Sequence, residues 1–362
     1  MSDTANFVPG KELARRLAQE LIPRLRDFFP ETPITLALLG PGSDVLGFDT
    51  RRSMDHDWGP GVTLLVPHNR LAFVRCGFAE HVDQLLPAEI SGFPTRYSRH
   101  SDGTAEVDAK GIEHRVRITS EPELLQSTLL INSMSEVTDE VWLSTPMQIL
   151  LELTAGEVFV DDAGDLTTMR RRLEFYPDHI WRYQLASFWM RIAQVQPFVG
   201  RCFEAGDSTG AATIAIGMVR DLSRIGLLQS RQYVPYPKWL GTALAQSEIG
   251  KTIGPDLAAA SNCSNFQLLE HSINSAGTKL IQQLNGLDLV PAFDPHAFQY
   301  WNRPFMVLPA EEIALALKES VRKSGLAHIE GIIGGINALS DSTDALSSRA
   351  FRLALRTMYT VR

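Results

Sequence analysis

The sequence predicts an α+β protein in which a small mixed sheet with flanking helices is followed by a helical bundle. In the first 145 residues, short apolar runs of strand-forming side chains alternate with stretches of helical periodicity. In the rest of the chain, apolar side chains recur at helical spacing, with little strand signal. We therefore expect two domains, residues 1–145 and residues 146–362.

The first domain is expected to begin with a helix over residues 11–29, because leucines recur at every fourth position and prolines follow. A buried strand is expected next at residues 34–39 and a second strand at 62–66, because each is a short apolar run of strand formers. The other expected elements are a helix at 69–85, a hairpin of 104–109 and 112–119 around Lys110-Gly111, and helices within 121–152.

A heavily apolar helical face dominates the second domain. Its large side chains are spaced by four, three, four and three residues, and they are Trp181, Leu185, Phe188, Ile192 and Val195. Residues 209–230 and 255–287 repeat the pattern, and such stripes must bury against each other, which predicts a bundle. An irregular segment at 291–308 is expected to precede helices at 310–324 and 345–358.

Composition and charge exclude several functional classes. The formal net charge is −8, so we expect no sequence-independent nucleic-acid binding. No apolar run approaches about 18 residues and no signal peptide is evident, so we expect no membrane contact and a cytoplasmic location. Cys76, Cys202 and Cys263 lie far apart, without the spacing of a metal site or of a disulfide framework.

The most informative stretch is residues 40–59, which follow the first expected strand. Gly42-Ser43 forms a turn where backbone N–H groups and a hydroxyl suit a phosphate. Asp55 and Asp57 are separated by one residue, and we expect them on the strand that follows this turn, where they would face the same side. His56 would then face the other side, and we expect it to be packed or hydrogen-bonded.

Two adjacent carboxylates suit Mg²⁺, which usually takes one or two carboxylates together with substrate phosphates. We therefore expect Mg²⁺ as cofactor and a nucleoside triphosphate as substrate. Asp55 and Asp57 would carry the metal, and Gly42 and Ser43 would hold the β- and γ-phosphates. His56-Asp57 also matches the core dipeptide of the His-Asp metal phosphohydrolases, but that fold is all-helical and this segment has a strand pattern.

These residues resemble the DNA polymerase β-type nucleotidyltransferase superfamily, and more closely a bacterial family of it, the DUF4037 proteins. The resemblance implies a nucleotidyltransferase-type sheet with helices in residues 1–145, followed by a helical domain. The resembling stretches run nearly from end to end, and they are residues 39–49, 55–60, 151–156, 176–178, 181–183, 198–202, 238–241 and 341–344.

The superfamily uses a third carboxylate on a neighbouring strand, which the resemblance places in a His-Arg-Val-Glu-Val-Thr pattern. This sequence has Arg117 at that place. An arginine beside the aspartate pair would bind it and compete with Mg²⁺. Glu113, Asp108 and Glu106 are alternative third ligands, and the sequence leaves open whether one of them serves or the metal site is lost.

The helical domain supplies a second set of polar side chains. Arg201, Glu204 and Asp207 are spaced by three, so on one helix they would share a face. Arg201 and Lys238 would bind triphosphate oxygens, and Glu204 would act as general base toward an acceptor hydroxyl. The alternative is an ordinary charged helix face. The side chains on which a nucleobase would stack are Tyr233, Tyr236 or Trp239.

We therefore expect an enzyme that transfers a nucleotidyl group from a nucleoside triphosphate to a small-molecule acceptor with Mg²⁺. One alternative, favoured by Arg117, is the same fold without catalysis, which binds a nucleotide or a phosphorylated metabolite. Another is a phosphohydrolase that uses the metal pair on water. The acceptor, the preferred nucleotide and the oligomeric state stay open.

Overall fold

The structure is a computed structural model that describes residues 7–99, 101, 104–262 and 265–360. It is a mixed α+β structure with a six-stranded sheet and a helical C-terminal region, as the sequence predicts. Two compact units divide the chain: one comprises residues 1–137 and 149–174, and the other comprises residues 138–148 and 175–362. In the described ranges, none of the helices is both long and apolar enough to cross a membrane.

The elements have the following bounds. The strands are β1 (Thr35–Leu38), β2 (Gly61–Leu65), β3 (Glu89–Ile90), β4 (Phe93–Pro94), β5 (Arg96–Arg99), β6 (Ala105–Val107), β7 (Glu113–Thr119), β8 (Glu157–Asp161), β9 (Phe298–Gln299) and β10 (Met306–Val307). The helices are α1 (Gly10–Phe28), α2 (Ser43–Leu46), α3 (Leu71–Glu80), α4 (Val82–Leu85), α5 (Glu121–Thr128), α6 (Asp139–Ser144), α7 (Met147–Thr154), α8 (Asp165–Leu173), α9 (Asp178–Glu204), α10 (Ser208–Gln229), α11 (Pro237–Gln246), α12 (Glu248–Ser261), α13 (Phe266–Gly286), α14 (Ala310–Ser320), α15 (Ile336–Leu339), α16 (Thr343–Ser347) and α17 (Arg349–Thr360).

The sheet of the first unit has the strand order β6-β5-β7-β2-β1-β8. β2 and β7 are parallel, with Gly61 opposite Arg115, and the other neighbours are antiparallel. β1 and β2 are buried along their whole lengths. β1 and β2 are antiparallel neighbours, so the last residue of β1 lies beside the start of β2. The segment between them therefore starts and finishes at the same end of these two strands, here called one edge of the sheet.

The first helix is confirmed. The four leucines that predict it are fully buried in the core against this sheet, and they are Leu13, Leu17, Leu21 and Leu25. Each lies one turn after the last, so together they form the single apolar stripe of α1. Helix α1 begins at Gly10, close to the segment between β1 and β2. The core therefore fixes one end of α1 at the same sheet edge.

The predicted hairpin of residues 104–109 and 112–119 is wrong. The turn itself forms, with the Gly111 N–H donating to the Asp108 carbonyl at 2.9 Å. However, β6 and β7 both pair with β5, which lies between them. The four residues of β5 include two arginines, and this polar composition gives no strand signal in the sequence.

β8 is a strand that the sequence analysis does not predict. It pairs antiparallel with β1 at the sheet edge, and all five of its residues are half-buried. Residues 149–174 thus belong to the first unit, although the predicted boundary lies after residue 145. In the second unit four of the five stripe residues of α9 are buried and Val195 is partly buried, and α9 packs on α10 and α14, as expected of a bundle.

Candidate functional site

The candidate site is the segment Gly40–Pro60, here called the β1–β2 loop. It contains the short helix α2 and a single 3₁₀ turn over Arg51–Asp55. Gly42 has an extended backbone and precedes Ser43, the first residue of α2. Among the described residues, no group accepts a hydrogen bond from the N–H of Gly42 or Ser43. The predicted phosphate turn thus presents two N–H donors.

A buried aspartate holds the start of the loop. Asp44 is 3% exposed, and its carboxylate accepts a hydrogen bond from the Val45 N–H at 3.0 Å. The guanidinium of Arg115 lies 3.8 Å from the same carboxylate. Burial raises the pKa of Asp44, and the nearby Arg115 partly opposes that shift. Asp44 therefore acts as an internal anchor between α2 and β7.

A second aspartate ties the loop to α1. The Asp49 carboxylate accepts hydrogen bonds from the Gly10 N–H at 2.7 Å and from the Trp58 indole N–H at 3.0 Å. A Cβ at Gly10 would lie 2.6 Å from the Cβ of Asp44, so the start of α1 packs closely on the loop. Sequence reasoning did not identify Asp44 and Asp49 as anchors, because both look like ordinary loop residues.

The end of the loop requires a glycine. Gly59 has a φ of +124°, and a Cβ there would lie 2.5 Å from the Tyr97 hydroxyl. That hydroxyl donates to the Pro60 carbonyl at 3.2 Å, and burial raises the pKa of Tyr97 to about 12. Arg115 donates to the Gly59 carbonyl at 3.3 Å. β5 and β7 thus fix the backbone directly after the aspartate pair.

The predicted strand geometry of Asp55 and Asp57 is wrong. Asp55 ends the 3₁₀ turn, and Asp57 has a left-handed backbone with a φ of +48°, so the pair precedes β2 rather than lying on it. The alternation argument for a common face therefore does not apply. Both side chains are exposed, and Asp55 is 2.9 Å from the imidazole of His56. Their roles in metal binding stay a prediction.

The alternatives for a third carboxylate have other partners. Glu113 forms an ion pair with Arg99 at 2.6 Å, and this hydrogen bond lowers the pKa of Glu113. Asp108 accepts hydrogen bonds from the Ser98 hydroxyl at 2.5 Å and from the Lys110 N–H at 2.9 Å. Glu106 lies on β6, two strands from β7. In the described part of the chain, no group of three or more His, Cys, Asp or Glu side chains is arranged to hold a metal ion.

The expectation that Arg117 reaches the aspartate pair needs correction. Arg117 pairs in register with Thr63 and donates to the Ser127 hydroxyl at 3.2 Å. Arg115, two residues earlier, is the β7 arginine that contacts the loop. A third arginine, Arg99 on β5, interacts electrostatically with the aspartate pair. Its hydrogen bond to Glu113 raises the pKa of Arg99 most, and the negative charge of Asp57 raises it further.

The predicted polar face of the helical unit is wrong in part. Helix α9 ends at Glu204, and Asp207 instead caps α10 by accepting a hydrogen bond from the Gly210 N–H at 2.8 Å. Glu204 accepts from Arg303 at 2.8 Å, and the Arg201 guanidinium lies over a phenylalanine ring. The functional roles of Glu204 and Arg201 stay predictions.

The proposed stacking residues differ in accessibility. Tyr233 is 4% exposed and packs against the rings of Phe175 and Tyr176, so it offers no free face to a base. Lys238 lies over the ring of Trp239 at 5.0 Å, at the start of α11. Lys238 stays a prediction as a phosphate ligand.

This chain is similar to solved structures and matches a family model over part of its length. A nucleotidyltransferase-like protein from Exiguobacterium sibiricum 255-15 is a structural match with 14% sequence identity, covering 75% of this chain and 79% of that chain. Its TM-score is 0.31, too low to support a conclusion about fold or activity. No curated protein gives a significant match.

The family comparison covers the middle of the chain, from α6 to α11. A family model described as "Domain of unknown function (DUF4037)" matches residues 142–240. The match includes the stretches at 151–156, 176–178, 181–183, 198–202 and most of 238–241, on which the sequence resemblance rests. Residues 142–240 are therefore similar to the DUF4037 family, which the sequence motifs also indicated.

Proposed function

We propose that this protein is a Mg²⁺-dependent nucleotidyltransferase that transfers a nucleotidyl group from a nucleoside triphosphate to a small-molecule acceptor. The observation that carries the proposal is the composition of the β1–β2 loop. It presents two N–H donors at Gly42 and Ser43 and two exposed carboxylates at Asp55 and Asp57. Both groups lie in a segment that starts and finishes at one edge of the sheet.

The donor set of the loop fits Mg²⁺ bound together with a substrate. Two exposed carboxylates provide hard oxygen ligands, and Mg²⁺ normally completes its shell with phosphate oxygens and water. Asp55 and Asp57 would hold the ion. When bound, Mg²⁺ would neutralise phosphate charge and orient the triphosphate.

The protein's own groups would then bind and position the substrate. The N–H groups of Gly42 and Ser43 would donate to phosphate oxygens, and Asp44 and Asp49 would keep the loop in place. In the transfer, the acceptor oxygen bonds to the α-phosphorus, the bond to the β-phosphate oxygen breaks, and pyrophosphate leaves. Glu204 is the proposed base for the acceptor proton, and Arg201 and Lys238 are proposed phosphate ligands.

Calorimetry with each nucleoside triphosphate, with and without Mg²⁺, tests the proposal. We expect Mg²⁺ to strengthen binding at least tenfold, and we expect the double variant Asp55→Asn/Asp57→Asn to lose that gain. Asp27→Asn is the matched control, because Asp27 is an exposed carboxylate on α1, outside the loop. Transfer of label from an α-phosphate-labelled nucleotide to an acceptor, with equimolar pyrophosphate, would establish the reaction. Unchanged binding by the double variant would refute it.

A second candidate function is nucleotide binding without catalysis. The specific observation in its favour is that Arg99 lies within electrostatic reach of Asp57 while it binds Glu113. A cation at this position competes with Mg²⁺ for Asp57 and offers a direct partner to phosphate. This candidate predicts binding that needs no metal, persists in Asp55→Asn/Asp57→Asn and is lost in Arg99→Ala. Release of pyrophosphate without a labelled acceptor would instead indicate a phosphohydrolase that uses water as the acceptor.

A further inference from the structure

A cavity of about 440 Å³ lies in the second unit and is lined only by residues of that unit. This volume is within the range of small-molecule sites. Its walls come from α9, the β9–β10 hairpin and the start of α14. The side chains that give it chemical character are Gln196, Phe298, Tyr300, Trp301, Glu311 and Glu312.

Aromatic rings form one side of this cavity. Trp301 is 84% exposed and Phe298 is 47% exposed, which is unusual for large apolar side chains that have no partner to cover them. Trp301 also has a left-handed backbone with a φ of +52°, which is costly for a bulky residue and is found preferentially at functional positions. The Tyr300 ring is held by stacking on Phe305 at 5.7 Å.

Three interactions hold the hairpin that carries these rings. The Tyr300 N–H donates to the Phe305 carbonyl at 3.0 Å, closing the turn. Arg303 forms an ion pair with Glu204 at 2.8 Å, and the Met306 N–H donates to Glu270 at 2.7 Å. The aromatic side chains are thus presented on a supported turn, which reduces the ordering cost of binding.

Two carboxylates line the same cavity. Glu311 and Glu312 lie in the first turn of α14, and both are exposed. Neither forms an ion pair with another residue that the structure describes. The helix N-terminus offsets only about half a unit of charge, so the wall stays negative. No lysine or arginine is among the lining residues, so the cavity disfavours phosphates.

We propose that this cavity binds a small organic cation, an ammonium group with alkyl substituents on an apolar or flat body. Aromatic faces attract such cations through their quadrupoles, and quaternary ammonium ligands are the usual occupants of aromatic cages. The unpaired carboxylates supply the compensating charge. This site is distinct from the proposed nucleotide site, because none of its lining residues is among the residues proposed to bind the metal or the nucleotide.

A pair of probes that differ only in charge tests the proposal. Choline and its neutral isostere 3,3-dimethylbutanol would be titrated into the full-length protein by calorimetry and by tryptophan fluorescence. We expect choline to bind at least tenfold more tightly. Trp301→Ala should weaken choline binding at least tenfold, and Glu311→Gln/Glu312→Gln should reduce the preference for the cation to under threefold.

Leu315→Ala is the matched control, because Leu315 is a 53% exposed residue of α14 that does not line the cavity. This variant and Asp55→Asn/Asp57→Asn should both bind choline as the unaltered protein does. Equal affinity for the two probes, no binding of either at millimolar concentration, or full binding by a Trp301→Ala variant with unchanged circular dichroism would each overturn the proposal.

Discussion

At the residue scale, the aspartates of the β1–β2 loop divide into two kinds. Asp44 is buried beside Arg115, and Asp49 accepts hydrogen bonds from α1 and Trp58. Asp55 and Asp57 are exposed. A carboxylate that stabilises the fold needs neighbouring donors, whereas one that binds a metal needs access to solvent. Asp44 and Asp49 therefore position the loop, whereas Asp55 and Asp57 are the candidate metal ligands.

Replacing Asp49 by alanine tests this division. The change removes the acceptor of the Gly10 N–H and of the Trp58 indole N–H, so we expect the free energy of unfolding to fall by about 2 kcal/mol. Urea unfolding measures the effect. Asp55→Ala is the control and should leave the unfolding midpoint unchanged, because its side chain is exposed. Equal losses in both variants would contradict the division.

The contribution of Tyr97 to the stability of the folded protein depends on pH. Burial raises its pKa to about 12, above the value of about 10 in an unfolded chain. The folded state therefore disfavours tyrosinate, so the stabilisation from Tyr97 is complete below pH 10 and is lost as the pH rises toward 12. Between pH 9 and pH 11 the stability advantage over Tyr97→Phe should shrink by roughly 1.4 kcal/mol, measured by urea unfolding. A constant difference would contradict it.

At the element scale, strand register decides which arginine contacts the site. The parallel pairing places Arg115 opposite Gly61, the first residue of β2, and places Arg117 opposite Thr63. Two residues along a strand amount to about 7 Å. Arg115 therefore reaches Asp44 and the Gly59 carbonyl, whereas Arg117 reaches Ser127.

The two arginines should therefore respond differently to substitution. Arg115→Ala leaves the Asp44 carboxylate buried without its cation, so we expect the free energy of unfolding to fall by about 2–3 kcal/mol. Arg117→Ala removes one exposed hydrogen bond and should change it by less than about 0.5 kcal/mol. Denaturant unfolding of the pair measures the contrast. A larger loss of stability in Arg117→Ala than in Arg115→Ala would contradict this role of Arg115.

At the scale of the whole chain, side chains far apart in sequence form a charge network in the second unit. Asp221 and Arg224 are both nearly fully buried on α10. Arg191 of α9 binds Asp221 at 2.8 Å, and Asp341 binds both Arg220 and Arg224. Buried charges need such partners, so Asp341 helps to stabilise the buried charges of α10 where it packs on α9.

Asp341→Ala should destabilise the second unit. It leaves the buried Arg224 with Asp221 as its remaining ion-pair partner among the described residues, so we expect a loss of about 3 kcal/mol in unfolding free energy. Hydrogen exchange should also increase in α9 and α10. Asp344→Ala is the control, since Asp344 is exposed three residues further on. Equal exchange in the two variants would contradict a structural role for Asp341.

The sequence by itself determined the features that depend on local periodicity. The leucine stripe of α1, the apolar runs of β1 and β2 and the stripe of α9 each specify an element, because burial of one face repeats with the period of that element. The position of the candidate loop between β1 and β2 follows from the same patterns. These elements form as predicted.

The tertiary structure alone decided which distant residues meet. In the folded chain the polar strand β5 lies between β6 and β7. Asp57 has a left-handed backbone instead of a strand conformation, and Arg115 rather than Arg117 contacts the β1–β2 loop. Strand order and charge pairing depend on contacts between segments that are remote in sequence. No local period encodes such contacts, so the pattern of side chains along the chain does not reveal them.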